Sequence, residues 1–240
     1  MILSILKTAV IGGADGPTVI FVTSNIALTM IIGGIACAIL AYLLGSLSFA
    51  VIISKVFYKK DIRTFGSGNA GMTNILRTFG KKAAIATLIG DVGKGIVAVL
   101  LAKYIFSNIL MSDAVYGAYI ATIFAVLGHL FPVFFKFKGG KGISVAFGCI
   151  IVSEPIVGII IALVFIIVVF TTKIVSLSSV LAAIAYPIST VIYGYFFVPD
   201  RNMLLGVILN TILALLVIFM HRENVKRLLN GTEYKFGQKK

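Results

Sequence analysis

The sequence predicts an all-α membrane protein: a polytopic bundle of about seven transmembrane helices, N-terminus outside and C-terminus cytoplasmic. Three observations predict it. Of 240 residues, 60% are apolar and 12% charged, whereas soluble domains run at about 45–50% and about 25%. Apolar stretches close to the roughly 20 residues that cross a bilayer recur along the whole chain. The 21 Lys and Arg, set against 8 Asp and Glu for a net charge of +13, concentrate in alternate connecting segments. In a soluble chain that balance would point to nucleic acid. Between apolar spans it marks loops held on the cytoplasmic side and a surface that attracts anionic lipid, so the bilayer is the expected partner and nucleic acid is not.

Residues 1–25 form an N-terminal extension of unknown role. They carry Lys7 and a GGADGPT stretch whose Gly, Asp and Pro interrupt the apolar run, which reads as a re-entrant or surface segment or as an uncleaved signal-like start. The membrane domain is expected over 26–240. Its spans are 26–57, 83–106, 114–135, a short 142–152, 156–170, 177–197 and 203–220, separated by polar or basic turns. The short one is half a membrane deep before Ser153, Glu154 and Pro155 turn the chain, as helices inside a bundle do. Of the 21 cations, 17 lie in the segments 55–63, 77–82, 136–141, 173 and 222–240, which makes that side cytoplasmic. Lys7, Lys103 and Arg201 fall on the other side, and Lys94 lies within a span. Cys37 and Cys149 read as small buried hydrophobes rather than a disulfide or metal site.

Four polar segments interrupt this pattern. Asp61 to Arg77 places three glycines beside Ser67, Asn69, Thr73, Asn74 and Arg77. Glycines let successive backbone N–H groups converge on an anion, hydroxyls add donors, and Arg77 brings a bidentate fork suited to phosphate. The segment has neither Walker A nor dinucleotide-binding spacing, and a flexible basic turn accounts for it equally well. Next, Gly128 to Gly142 ends a span in an aromatic and Lys belt and then offers Gly139, Gly140 and Lys141. Lys136 and Lys138 read as interfacial anchors. Lys141 stands at the start of the short helix, where the free N–H groups and positive dipole end add to its charge. The third segment, Lys173 to Ser179, has Ser176, Ser178 and Ser179 where a span begins, a capping position as much as a binding one. The fourth, His221 to Arg227, puts His221 and Asn224 on one helical face directly after the last span. On the charge-derived topology all four meet on the cytoplasmic side, and a shared anionic substrate explains that convergence. No metal is expected: Asp61, Glu223 and Glu233 share no ligand spacing, and no Cys cluster or HExxH occurs.

GSGNAGMTNILRTFGKK, GHLFPVFFKFKGGKG, VSLSS and HRENVKRLLNGTE, in this order and separated by apolar spans, closely resemble the PlsY family, the bacterial acyl-phosphate:glycerol-3-phosphate acyltransferases. The match runs from about residue 40 to 235. It implies a seven-helix enzyme of the bacterial inner membrane, active site facing the cytoplasm. Such an enzyme moves a fatty acyl group from acyl phosphate to the 1-hydroxyl of glycerol 3-phosphate, giving lysophosphatidic acid and phosphate without a cofactor. The soluble enzyme that makes acyl phosphate is a further implied partner. Carried over by motif, His221, Asn224 and Ser179 would be catalytic, while Ser67, Asn69, Asn74, Arg77, Gly139, Gly140 and Lys141 would bind substrate. The HxxxxD pair of other glycerolipid acyltransferases is absent, since Phe134 and Lys226 stand five residues after His129 and His221. Met72 and Ser48 depart from the family pattern. The residues alone leave two alternatives open: a transporter of a phosphorylated metabolite, and a structural membrane subunit.

Overall fold

The computed structural model describes residues 19–197 and 203–235, the side chains of 19–26 excepted. The described chain is helical throughout: α1 Val19–Gly45, α2 Phe49–Tyr58, α3 Met72–Phe79, α4 Lys81–Tyr104, α5 Ala114–Leu130, α6 Ile143–Ser153, α7 Pro155–Thr172, α8 Val175–Phe197, α9 Met203–Met220 and α10 Arg222–Leu229. Among the described residues six segments are long and apolar enough to cross a membrane, counting Ala27–Tyr58 as one, and Ile143–Ser153 is a shorter apolar helix. The expected count of about seven therefore stands as six spans and a half-length helix. α1 begins inside the stretch assigned to the extension; 1–18, with Lys7, lie outside the described residues, as do Arg201, Lys239 and Lys240.

In lipid, helices have little hydrophobic reason to pair with one another, so small residues that admit close backbone contact set the packing. Two glycine-paired crossings build the frame. A Cβ at Gly45 would run into Ala125 O and one at Gly128 into Tyr42 O, which locks α1 against α5. A Cβ at Gly95 would stand 2.6 Å from Val145 O, and one at Gly148 would strike Val92 O, which locks α4 against α6. Ala98, Val99, Ala121, Ala125, Val126, Val145 and Cys149 fill the space between these crossings. α7, α8 and α9 pack as a second group beside them.

The first apolar stretch is broken rather than continuous. After α1 the backbone turns at Ser46–Ser48, and the freed Leu47 carbonyl accepts a hydrogen bond from Lys94 Nζ at 2.6 Å. Lys94 also pairs with Asp91 one turn earlier on α4 (2.9 Å) and lies 3.0 Å from His129 Nδ1. A span can carry such groups because each has a partner inside the bundle.

The segment 59–71 is also not a flexible turn. Ile62 and Ile75 are fully buried beneath it with Val51 and Ala70. Asp61 caps a short helical turn by accepting from Arg63 N, and its carboxylate takes the Arg63 guanidinium as a fork at 2.9 and 2.7 Å. That guanidinium holds the Asp61 carboxyl far below the usual carboxylate range. Arg63 reaches across to donate to Phe135 O at 2.7 Å, tying this segment to the one that ends in Lys141.

Candidate active site

A single cavity of about 390 Å³ brings the four polar segments together. Its mouth is made by the 67–77 segment, Lys141, the start of α8 and α10. Its lower part runs between α6, α7, α8 and α9 and is apolar, with Ala146, Phe147, Ala162, Phe165, Ala183 and Val217 on its walls. Polar groups above and a greasy slot below are what an amphiphilic substrate requires.

Eight of the ten side chains or glycines singled out from sequence line this cavity: Ser67, Asn69, Asn74, Arg77, Lys141, Ser179, His221 and Asn224. Arg77 lies in the last turn of α3, its guanidinium 4.8 Å from the centroid of the Tyr234 ring. Among the described residues no acceptor engages its N–H groups. Lys141 follows the Gly139–Gly140 turn and donates to Asn224 Oδ1 through a short hydrogen bond. Burial brings the Lys141 ammonium down to about 8, Arg227 and Arg77 push the same way, and Glu233 opposes them.

His221 is the residue before α10, and its Nδ1 lies 2.8 Å from Val217 O. A carbonyl only accepts, so Nδ1 carries the proton and Nε2 is left as an acceptor. Burial lowers the ring's pKa to about 4 against the opposing Val217 hydrogen bond, with Lys141 acting in the same direction as burial. The imidazole is therefore neutral at physiological pH.

Three predicted residues do work other than contact. Asn74, 2% exposed, spends its side chain on the loop: Nδ2 donates to Phe65 O (2.9 Å), Asn69 O (3.0 Å) and Ile62 O (3.3 Å), while Oδ1 accepts from Ser67 N (3.1 Å). It shapes the segment whose glycines Gly66 and Gly68 take positive φ. Gly139 and Gly140 do not line the cavity; they pack behind it, where Gly139 O accepts from Ala70 N and Gly140 N donates to His129 O. A Cβ at Gly140 would strike His129 Nε2, so glycine is needed there for close approach to the ring. Ser179 lines the cavity, although its hydroxyl donates back to Val175 O at 2.9 Å within α8.

Sequence reasoning missed the carboxylate that organises the mouth. Glu233 accepts from Ser176 Oγ (2.8 Å), Asn224 Nδ2 (2.7 Å) and Arg227 Nε (2.7 Å), binding the C-terminal segment to α8 and α10. Burial alone would push its pKa up; these hydrogen bonds outweigh burial and hold it below the ordinary value. Sequence alone shows Glu233 only as an acid outside any metal-ligand spacing, because nothing in spacing joins residue 233 to residue 176. The Asp91–Lys94–His129 cluster was missed too, although an acid three residues before a membrane-embedded Lys is a legible pair. Asp91 and His129 touch the cavity from below the 139–141 turn.

The mouth thus holds Arg77, Lys141 and Arg227 against the one carboxylate of Glu233, because Asp91 is neutralised by Lys94. This surplus of cation at a cavity mouth is an anion site. Among the described residues no three His, Cys, Asp or Glu side chains converge on a metal position.

A family model described as glycerol-3-phosphate acyltransferase matches residues 35–231. The chain belongs to the glycerol-3-phosphate acyltransferase family. A curated member from Neisseria meningitidis serogroup C is 44% identical over 200 residues, covering 83% of this chain and 96% of its own. One from Clostridioides difficile is 43% identical over 206 residues, covering 86% and 97%. Among solved structures, the glycerol 3-phosphate form of PlsY, an integral membrane glycerol 3-phosphate acyltransferase, aligns with a TM-score of 0.73 at 34% identity, covering 85% of this chain and 96% of that one. Its lysophosphatidic acid form aligns at 0.70 and 33%. The family match ends two residues before Glu233, so it takes in the Gly-rich segment, Lys141, Ser179, His221 and Asn224. As a glycerol-3-phosphate acyltransferase this chain is an enzyme, and the transporter alternative falls.

Proposed function

We propose that the chain transfers a fatty acyl group from acyl phosphate to the 1-hydroxyl of glycerol 3-phosphate, releasing lysophosphatidic acid and inorganic phosphate, as the first acylation of bacterial phospholipid synthesis. One observation carries the reading: three cations stand over an apolar slot with a neutral imidazole lining the same cavity. A phosphorylated polyol and a lipid phosphate both fit such a mouth, and the fatty chain fits the slot. The solved relatives in glycerol 3-phosphate and lysophosphatidic acid forms support the same pair of ligand classes.

An acyl phosphate is a mixed anhydride and already activated, so positioning and charge neutralisation supply most of the catalysis. Arg77 and Lys141 hold phosphate oxygens. The 2-hydroxyl of glycerol 3-phosphate donates to His221 Nε2, whose fixed tautomer holds the glycerol so that the 1-hydroxyl oxygen faces the acyl carbon and its proton stays free. The new ester C–O bond forms as the acyl–phosphate C–O bond breaks, and the hydroxyl proton passes to the departing phosphate. A ring with a pKa of about 4 is a poor base at neutral pH but a good acceptor, which favours orientation over proton abstraction. Ser179 and Asn224 complete the wall around the reacting groups, Asn224 by steadying Lys141.

The cation asymmetry supports a mouth open to the cytoplasm, with the N-terminus outside and the C-terminus inside. The soluble enzyme that makes acyl phosphate would deliver its product there. Purified protein given glycerol 3-phosphate with acyl phosphate should release lysophosphatidate, and with acyl-CoA it should not. Turnover on acyl-CoA alone, or abolition of the acyl phosphate reaction by a chelator, would sink the proposal. Cysteine labelling that places residue 240 outside would sink the topology.

A further inference from the structure

The slot below the mouth is closed by a hydrogen-bonded floor. On α8 its deepest lining residue is Tyr186, on α9 Leu213, on α6 Ile150 and on α7 Ile161. Immediately beneath lies a cluster that the reaction does not use. Tyr186 donates its hydroxyl to Asn210 Oδ1 at 2.7 Å, and Asn210 Nδ2 donates to Glu154 Oε2 at 3.0 Å and Thr190 Oγ1 at 2.9 Å. Tyr119 adds a hydrogen bond to Glu154 Oε1 at 3.3 Å, and Gly206 gives its hydroxyl the room to do so, since a Cβ there would stand 2.5 Å from it.

Tyr186 is 3% exposed and Asn210 2%. A buried acid and amide are costly inside a membrane bundle, and an apolar end wall would have filled the same space. What an apolar wall cannot do is hold one ring in one place, because aliphatic side chains repack when pressed. A phenol pinned through an amide to a carboxylate keeps its position.

On the reading that the slot holds the acyl chain of the donor, we propose that Tyr186 is its end stop and sets the chain length up to which added methylenes gain burial. Tyr186 lies two turns below Ser179, about 10 Å at the helical rise per residue. A zigzag of about 1.5 Å carbon–carbon bonds advances about 1.3 Å per carbon, so the straight part of the slot takes about eight carbons. Each methylene added within that length is buried and tightens binding about four-fold. Carbons beyond it meet the ring and turn aside, and they add little.

Two variants move the floor in opposite directions. Ala183, which lines the slot one turn above Tyr186, raises the floor in Ala183→Leu and leaves the polar cluster intact. Tyr186→Ala lowers it. The assay is kcat/KM across a homologous series of saturated acyl phosphates, taken as the ratio of variant to wild type at each length so that partitioning into detergent cancels. The ratio for Ala183→Leu should fall as chains lengthen toward the floor, and that for Tyr186→Ala should rise beyond it, each by about ten-fold or more across two methylenes. If Ala183→Leu lowers the ratio equally at every length, the slot holds the chain but Tyr186 does not measure it, and the end stop is overturned. If Ala183→Leu leaves the ratio at unity throughout, the chain is not in the slot, and the reading beneath the proposal fails as well. Should Tyr186→Ala fail to fold, Ala183→Leu decides alone.

Discussion

Replacing Lys141 by Arg separates charge from proton equilibrium at the mouth. Lys141 stands between Arg77 and Arg227 with Glu233 as its one acidic neighbour there, and burial brings its pKa to about 8. The sign follows directly: a lowered cation keeps its charge below about 8 and loses it as the pH rises through that value. For the free enzyme, kcat/KM for glycerol 3-phosphate should be flat near pH 6.5–7 and fall about ten-fold for each unit above 8. The substrate does not produce this limb, because a phosphate monoester with a second pKa near 6 stays a dianion from about pH 7 upward. Arg stays protonated past pH 12. Lys141→Arg should therefore abolish the alkaline limb, although its plateau will be lower because a planar fork does not reproduce the contact of an ammonium on Asn224. The assay is initial-rate phosphate release between pH 6 and 10 at subsaturating glycerol 3-phosphate. A wild-type profile flat to pH 10, or a Lys141→Arg profile that still breaks near 8, would refute the argument.

Other expectations follow from the same geometry. His221→Gln or His221→Asn should keep activity within about ten-fold of wild type, the worth of one hydrogen bond, whereas His221→Ala loses more; uniform losses of about 10²–10⁴ in all three would restore His221 as a base. The acid limb assigned to His221 should lie near pH 4 rather than 6.5, since the neutral ring is lost only as pH falls through its lowered pKa. Arg77→Lys should raise the KM for glycerol 3-phosphate about ten-fold or more, because the stacked fork over Tyr234 is lost while the charge remains. Wild-type KM in that variant would remove Arg77 from the phosphate site. Gly140→Ala should destabilise the fold by about 1–3 kcal/mol, because the added methyl meets His129 Nε2 and, at 2.8 Å, Ala70 O; thermal unfolding in detergent reads this, and an unchanged Tm would contradict it.

The sequence by itself determined the class of protein, the approximate extents of most spans, and the four polar segments that meet at the cavity. Those features are local: apolar run length, cation placement, and residue types grouped within a dozen positions. It also marked Arg77, Lys141, His221 and Asn224, because each stands where an apolar span meets a Gly-rich or basic segment. Tertiary structure decided what local pattern cannot encode. Asn74 reads as one more polar loop residue until its amide is found spent on Ile62, Phe65, Asn69 and Ser67. Gly139 and Gly140 read as anion-binding backbone until His129 is found packed against them, its carbonyl on Gly139 and its ring on Gly140. Glu233 becomes the centre of the mouth only when folding brings it to Ser176, 57 residues away in sequence. Glu154 becomes part of a floor only when α9 sets Asn210 between it and Tyr186. Hydrogen bonds and charge pairs act over about 3 Å in space whatever the separation along the chain. Composition and periodicity therefore announce that polar groups converge, and the packing of helices settles which ones meet.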